Sequence, residues 1–347
     1  MRSSCDSRRP RIAEVVLIDL KGDPSILDQS EAARKAQELG FDGFSVGETK
    51  HDAFVSLSTA AVATSTIRLT TGVAIAFART PMTVAYAARD LQELARGKAE
   101  IGLGTQVEAH VARRFGMPWS RPVARMQEFL EAVRAIWMAW DSGEPLKFDG
   151  DFYHHSLMTP NFAPDFADLK RPPLLVAAVG PRMTAMASEH ADGIMLHSLQ
   201  SPKTLAALTV PAIGSAMQRR SSGLGPLQVH AMPFVVTGAD STAMRRASRA
   251  VKSRIGFYSS TPAYREVLAV HGWETLADEA TKLVRERKWE ELHAPVDDTM
   301  LAEFAVVAEP GRLRQALAAR YDRVADVLTM NTPYEIDPSV LADAVSN

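Results

Sequence analysis

One cysteine in 347 residues leaves no partner for an intrachain disulfide and no set of thiolates for a zinc or iron–sulfur site. That residue, Cys5, lies in a polar opening stretch, Met1–Arg11, which reads as a flexible tail with the thiol incidental. Arg2, Arg8 and Arg9 are not followed by an apolar run, so the tail lacks the pattern of a secretory signal. No segment approaches the roughly 18 apolar residues that a membrane helix requires. Charge of one sign is also missing: 39 lysines and arginines stand against 41 acids, a net charge of −2. Arginine pairs at Arg113-Arg114, Arg219-Arg220 and Arg245-Arg246 are scattered among acids and make no concentrated positive field. A cytoplasmic protein is expected, with a small-molecule substrate and with neither nucleic acid nor membrane as partner.

Several catalytic signatures are absent as well. There is no His-Glu-x-x-His, no Gly-x-Ser-x-Gly elbow and no P-loop, which weighs against metalloprotease, hydrolase and phosphoryl-transfer chemistry. His110 and the pair His154-His155 lack metal-ligand spacing, and no metal is expected. His190 is expected on a helix surface.

What the chain does have is 46% hydrophobic residues and an alternation of short apolar runs with amphipathic stretches. Val15–Ile18, Gly43–Val46, Ile67–Ile75, Lys98–Leu103, Leu174–Ala178, Gly193–Leu196, Val229–Val236 and Val324–Thr329 read as strands buried on both faces. Between them, helices are expected over Ser25–Leu39, stopped by Gly40, and near Phe54–Ala63. Another opens at Thr80-Pro81, and one lines Met126, Phe129, Leu130, Val133 and Trp137 on one face. Further helices start near Pro181, Pro202, Asp240 and Pro310. Eight strand–helix units imply parallel strands with right-handed crossovers, hence a (β/α)8 barrel, with an open doubly wound sheet as the alternative. The length would allow two domains, but one barrel domain over 12–347 accounts for the pattern. Two long insertions follow strands four and seven, containing Trp140–Pro173 and Thr261–Thr299, the latter partly helical around Ala277–Trp289. Both are expected in the loops that build the catalytic face.

Barrel chemistry comes from the C-terminal ends of strands. After strand two, Gly47-Glu48-Thr49-Lys50-His51-Asp52 gathers an acid, a base and an imidazole, which suits proton transfer; Glu48 and His51 are the catalytic candidates. After strand four, Gly102-Leu103-Gly104-Thr105-Gln106 offers backbone amides and a hydroxyl to an anion. Val107 stands where a dinucleotide fingerprint would place its third glycine. After strand five, Val179-Gly180-Pro181-Arg182 leads into a helix, an arrangement that equally suits a phosphate or an ordinary turn. His197 ends strand six and could face a cofactor.

At these residues the chain resembles the luciferase-like oxidoreductases. The similarity runs through Ala36–Phe44, Ile67–Val73, Arg79-Thr80-Pro81, Leu91–Lys98, Gly102–Thr105, Ala177–Pro181 and Ala191-Asp192-Gly193, in order, from Ile12 to Thr332. Gly47–Asp52, Ala74–Arg79, Leu103–Gln106, Arg114–Trp119, Leu157–Pro160 and Phe257–Arg265 are similar to a subgroup assigned to coenzyme F420. The resemblance implies a bacterial-luciferase-like TIM barrel with a flavin or deazaflavin ring over strand three, on a non-prolyl cis peptide near Gly72–Val73. It places Glu48 and His51 near the ring, and the phosphate tail at Thr105, Gln106, Gly180, Pro181 and Arg182. Val107 occupies the position of a proton-donating glutamate in some deazaflavin dehydrogenases, so that mechanism does not carry over. Coenzyme F420 is the expected cofactor, with FMN and monooxygenase chemistry as the alternative and a non-catalytic cofactor-binding barrel as a third reading. Trp119, Phe257 and Tyr258 are candidate pocket walls, and a homodimer is possible on this reading.

Overall fold

The computed structural model describes residues 16–22, 25–165 and 169–345. The tail Met1–Arg11, Cys5 and the expected strand start at Val15 lie outside the described residues. Eight strands form one parallel sheet: β1 (Leu17–Lys21), β2 (Gly43–Val46), β3 (Arg68–Thr71, continued as Ala74–Ile75), β4 (Ala99–Gly104), β5 (Leu174–Ala178), β6 (Gly193–Leu196), β7 (Gln228–Ala231) and β8 (Val327–Met330). Leu17 pairs with Val327 and Leu69 with Ala99, so β1 meets β8, β3 meets β4, and the sheet closes on itself. It is the (β/α)8 barrel that the strand count implies.

The helices start and stop where local chemistry directs. Helix α1 (Gln29–Leu39) ends at Gly40, whose φ of 90° suits a residue without Cβ. Helix α2 (Ala53–Ala63) is capped by Asp52, which accepts from the amides of Phe54 and Val55 at 2.8 and 3.0 Å. Thr80 caps α3 (Pro81–Leu94), and proline takes the first helical position, where its missing N–H costs nothing. Helix α4 (Pro122–Ser142) buries Met126, Phe129, Leu130, Val133 and Trp137. Trp137 donates its indole N–H to Ala85 O at 3.1 Å, tying α4 to α3. Helices α5 (Pro181–His190), α6 (Ser241–Ser259) and α7 (Leu313–Tyr321) complete the main set.

Five boundaries differ from the sequence reading. The first strand runs on to Lys21, three residues past Ile18. The first helix starts at Gln29, four residues later than Ser25. The third strand is interrupted at Gly72–Val73. The seventh breaks at Met232-Pro233, because proline cannot donate to a ladder; Phe234–Val236 leaves the barrel and pairs in parallel with Ala305–Val307. The eighth starts at Val327, since Tyr321–Ala325 still closes the turn of α7.

The two insertions also behave differently. Residues 143–165 and 169–173 follow α4 instead of preceding it, and they run along α3 and α4 rather than over the mouth. Tyr86 packs on Trp140 at 4.7 Å, and Arg89 and Gln92 donate to the carbonyls of Leu169 and Lys170 at 3.1 and 3.0 Å. On this side the segment after β4 reaches the loop after β2, where Arg114 donates to Thr49 O at 2.9 Å, and Trp119 packs on Phe77. The insertion after β7 buries its own apolar cluster, including Phe234, Val251, Ile255, Leu268, Leu276 and Phe304. A bridge from Phe234 to Asn331, one residue beyond β8, seats it at the C-terminal ends of the strands.

Candidate active site

The mouth is organised around the break in β3. Between Thr70 and Ala74 that strand takes four steps while β4 takes three from Glu100 to Leu103, which is a bulge of one residue. The Gly72–Val73 peptide within it is cis. Neighbouring strands make room by omitting side chains. A Cβ on Gly102 would stand 2.1 Å from Thr71 O, one on Gly104 2.7 Å from Val73 Cγ2, and one on Gly47 2.7 Å from Gly72 O. The glycines at 102 and 104, read from sequence as an anion cradle, thus have a packing cause of their own.

Glu48 brackets the bulge from β2. Its amide donates to Val73 O at 3.0 Å, and its carboxylate accepts from Ile75 N at 2.9 Å and from Arg79 Nη1 at 2.7 Å. Arg79 Nη1 also donates to Ile75 O at 3.0 Å, and Nη2 pairs with Asp52. This pairing, with the two amides that Asp52 receives, holds the Asp52 carboxyl below its usual range against the opposing effect of burial. His51 is exposed and makes no hydrogen bond among the described residues.

The remaining candidates ring the same end. Thr105 Oγ1 donates to Gln106 O at 2.9 Å, and Gln106 Oε1 accepts from Val107 N at 3.0 Å, so both side chains stabilise their own loop. Gln106 has a φ of 61°, unusual for a residue with a Cβ. Gly180 (φ 78°) precedes α5, Pro181 opens that helix, and Arg182 is exposed. A Cβ on Gly180 would lie 3.9 Å from the carboxylate of Glu266, which sets an acid beside the turn expected to hold phosphate. His197 Nδ1 accepts from Leu199 N at 3.1 Å, and its ring packs on Tyr258 and Tyr264 with centroids 4.4 and 4.6 Å away. Burial, helped by the charge of Lys21, lowers His197 to about 3. The ring is therefore neutral at ordinary pH with its proton on Nε2. Trp119 packs edge-on against Phe77 at 5.8 Å, and Phe257 stays partly exposed while its neighbour Tyr258 turns inward.

A family model described as luciferase-like monooxygenase matches residues 14–326. The chain belongs to the luciferase-like monooxygenase family. An uncharacterized protein of Mycobacterium tuberculosis is 42% identical over 311 residues, covering 88% of this chain and 92% of that protein. The 5,10-methylenetetrahydromethanopterin reductase of Archaeoglobus fulgidus is 25% identical over 285 residues, 79% of this chain and 80% of the reductase. The structure of the coenzyme F420-dependent tetrahydromethanopterin reductase of Methanopyrus kandleri superposes with a TM-score of 0.75 at 20% identity, covering 96% of this chain and 97% of that one. Relatives of this luciferase-like chain are oxidoreductases and monooxygenases.

Sequence reasoning missed the polar side of this luciferase-like mouth. Lys21 ends β1 and donates to Asn331 Oδ1 at 3.1 Å; Asn331 donates onward to Ser198 Oγ at 2.8 Å. It also missed a charged layer inside the barrel. Arg68 donates to Asp19 at 2.6 Å and lies 3.4 Å from Glu100, and His230 Nε2 is 3.7 Å from the same Glu100 oxygen. Burial raises Asp19 to about 6 and Glu100 to about 7, against the pull of Arg68, and lowers His230 to about 3. The available signal was strand alternation: Leu17, Asp19 and Lys21 share one side of β1. Among the described residues no group of three or more His, Cys, Asp or Glu could hold a metal ion, and no helix is long and apolar enough to cross a membrane.

Proposed function

We propose that this protein transfers a hydride between the deazaflavin coenzyme F420 and a small organic substrate at the C-terminal mouth of the barrel. One observation carries the reading. On the β2–β5 side the last inward positions bear almost no side chain: Gly47, Gly72, Gly104 and Ala177, with Val73 lying against Gly104. Gly72, Val73 and Ala177 remain partly exposed although the strand residues around them are buried. Such a wall is a flat surface on which a planar tricyclic ring can lie, so the residues present fit the group. A Mycobacterium tuberculosis relative, 26% identical over 308 residues and named a putative coenzyme F420-dependent oxidoreductase, favours F420 over FMN.

When bound, the deazaflavin supplies a two-electron hydride carrier. The chain's own residues do the rest. Glu48 and Arg79 fix the bulge that forms the wall. The amides and side chains of Thr105, Gln106, Gly180, Pro181 and Arg182 meet the phosphate tail, with Arg182 providing the charge. His197 offers a neutral Nε2–H donor. Since the Glu48 carboxylate is already occupied by Ile75 and Arg79, His51 is the residue left to move a proton. Trp119 and Tyr258 close the sides.

Titration of the purified apoprotein with F420 and FMN in parallel tests the reading. Saturable F420 binding that is tighter than FMN binding, with oxygen-independent turnover, is the expected result. Preferential FMN binding with oxygen-dependent turnover would make it a flavin monooxygenase. Binding of neither ends the proposal.

A further inference from the structure

Opposite the side-chain-poor wall, two cations stand without a counter-charge. The hydrogen bond from Lys21 Nζ to Asn331 occupies one of three ammonium protons. Arg254 projects from α6, the helix whose Tyr258 packs on His197, and lies close enough for its charge to act on both Lys21 and Tyr258. Among the described residues neither cation has a carboxylate within ion-pair distance. Two neighbouring clusters are matched: Glu48 and Asp52 share Arg79, and, deeper in the barrel, Asp19 and Glu100 share Arg68. Lys21 is half-buried with no anion beside it, which is costly, and an arriving anion relieves that cost; Arg254 is exposed and adds attraction from the solvent side.

We infer that Lys21 and Arg254 form a subsite for the anionic oxygens, carboxylate or phosphoryl, of the substrate. The inference rests on the proposed function for what lies across the mouth, but it can be tested without coenzyme. The guanidinium fork and the ammonium supply charged donors, and Ser198, the Nε2–H of His197 and the hydroxyls of Tyr258 and Tyr264 are neutral polar groups around them. Burial first, and Arg254 second, lower Lys21 to about 8. His197 is neutral above about pH 3, and burial raises both tyrosines, so Lys21 is the group here that titrates on the alkaline side of neutrality. A bound anion holds the proton on Lys21, so affinity falls as pH rises past about 8.

The test is calorimetric titration of the full chain, free of coenzyme, with benzoate and separately with inorganic phosphate, at about pH 6.5 and 9.5. Saturable binding of at least one probe is expected, weaker at the higher pH. It should fall roughly tenfold or more in Lys21→Gln and Arg254→Gln and persist in Lys21→Arg. Benzoate alone would identify a carboxylate ligand, and phosphate alone a phosphoryl one. The dissociation constant for F420 should be unchanged in Lys21→Gln; its collapse would assign the cations to the coenzyme and overturn the substrate assignment. Binding equal in wild type and both glutamine variants, or no binding of either probe, also overturns it. Arg254 is exposed, so its variant reports even where Lys21→Gln does not fold. Anion binding by a protein that binds neither F420 nor FMN would uphold the subsite and remove only the proposed function.

Discussion

The carboxylate of Glu48 accepts the amide hydrogen of Ile75 at 2.9 Å, reaching from β2 across the interruption of β3. Its second strong partner, Arg79, is the residue that also holds the Ile75 carbonyl and Asp52. An acid so engaged positions backbone. Glu48→Gln keeps an acceptor for Ile75 but leaves Arg79 with less counter-charge in a half-buried site. We expect a stability loss of about 1–3 kcal/mol by thermal or denaturant melting and weaker coenzyme binding. The pH–rate profile should keep its shape. Loss of a limb of that profile in Glu48→Gln would instead make Glu48 the proton handler. Arg79→Lys should resemble Glu48→Gln, because an ammonium cannot reproduce the planar fork.

The glycines flanking the bulge give a second, sharper contrast. Gly47→Ala would drive a Cβ to 2.7 Å from Gly72 O, and Gly104→Ala to 2.7 Å from Val73 Cγ2. Each is expected to cost about 1–3 kcal/mol, as overpacking does, and to weaken coenzyme binding. Gly214→Ala, in the helix Val210–Ala216 with nothing within 4 Å of the added carbon, should stabilise by roughly 0.5–1 kcal/mol. Equal melting temperatures for the Gly47 and Gly214 variants would refute the packing account.

The barrel itself was legible because its strands are short apolar runs between well-marked helix starts, such as Thr80-Pro81 and Asp52. The ends of β3 and β7 were not: apolar character continues straight through Gly72–Val73 and into Phe234–Val236, and only pairing partners reveal the breaks. The loop residues after β2, β4, β5 and β6 could be named because strand ends mark them. Lys21 could not, since the apolar run Val15–Ile18 ends before Asp19, and the polar residues that follow look like a loop. In fact Asp19 and Lys21 are the inward members of β1, and their burial is a property of the closed sheet. The glycines at 102 and 104 stood out in the sequence only as an anion cradle; their packing role stayed hidden, because nothing in one strand announces a bulge in its neighbour.

His51 is the remaining proton-handling candidate, exposed at the start of α2 and free of hydrogen bonds among the described residues. His51→Asn should leave stability within about 0.5 kcal/mol, as exposed substitutions do. It should lower kcat by roughly a hundredfold, with coenzyme affinity retained. Unchanged kcat in His51→Asn would remove the residue from the mechanism.

The charged layer inside the barrel makes stability depend on pH in a way one substitution can isolate. Burial lifts Glu100 from the ordinary carboxylate range to about 7, so the folded chain holds a proton there that the unfolded chain has released. Its contribution is therefore fully present below the unfolded carboxylate range and is lost as pH rises toward 7. His197 and His230 act with the opposite sign: both are lowered to about 3, so what they contribute is present above the usual histidine range and lost as the solution is acidified. Glu100→Gln removes the first effect and leaves the second. Its folding free energy relative to wild type should therefore improve steadily from about pH 5 to pH 8, measured by urea unfolding at each pH. A difference that stays flat across that interval would mean that Glu100 is already ionised in the folded barrel, with Arg68 outweighing its burial.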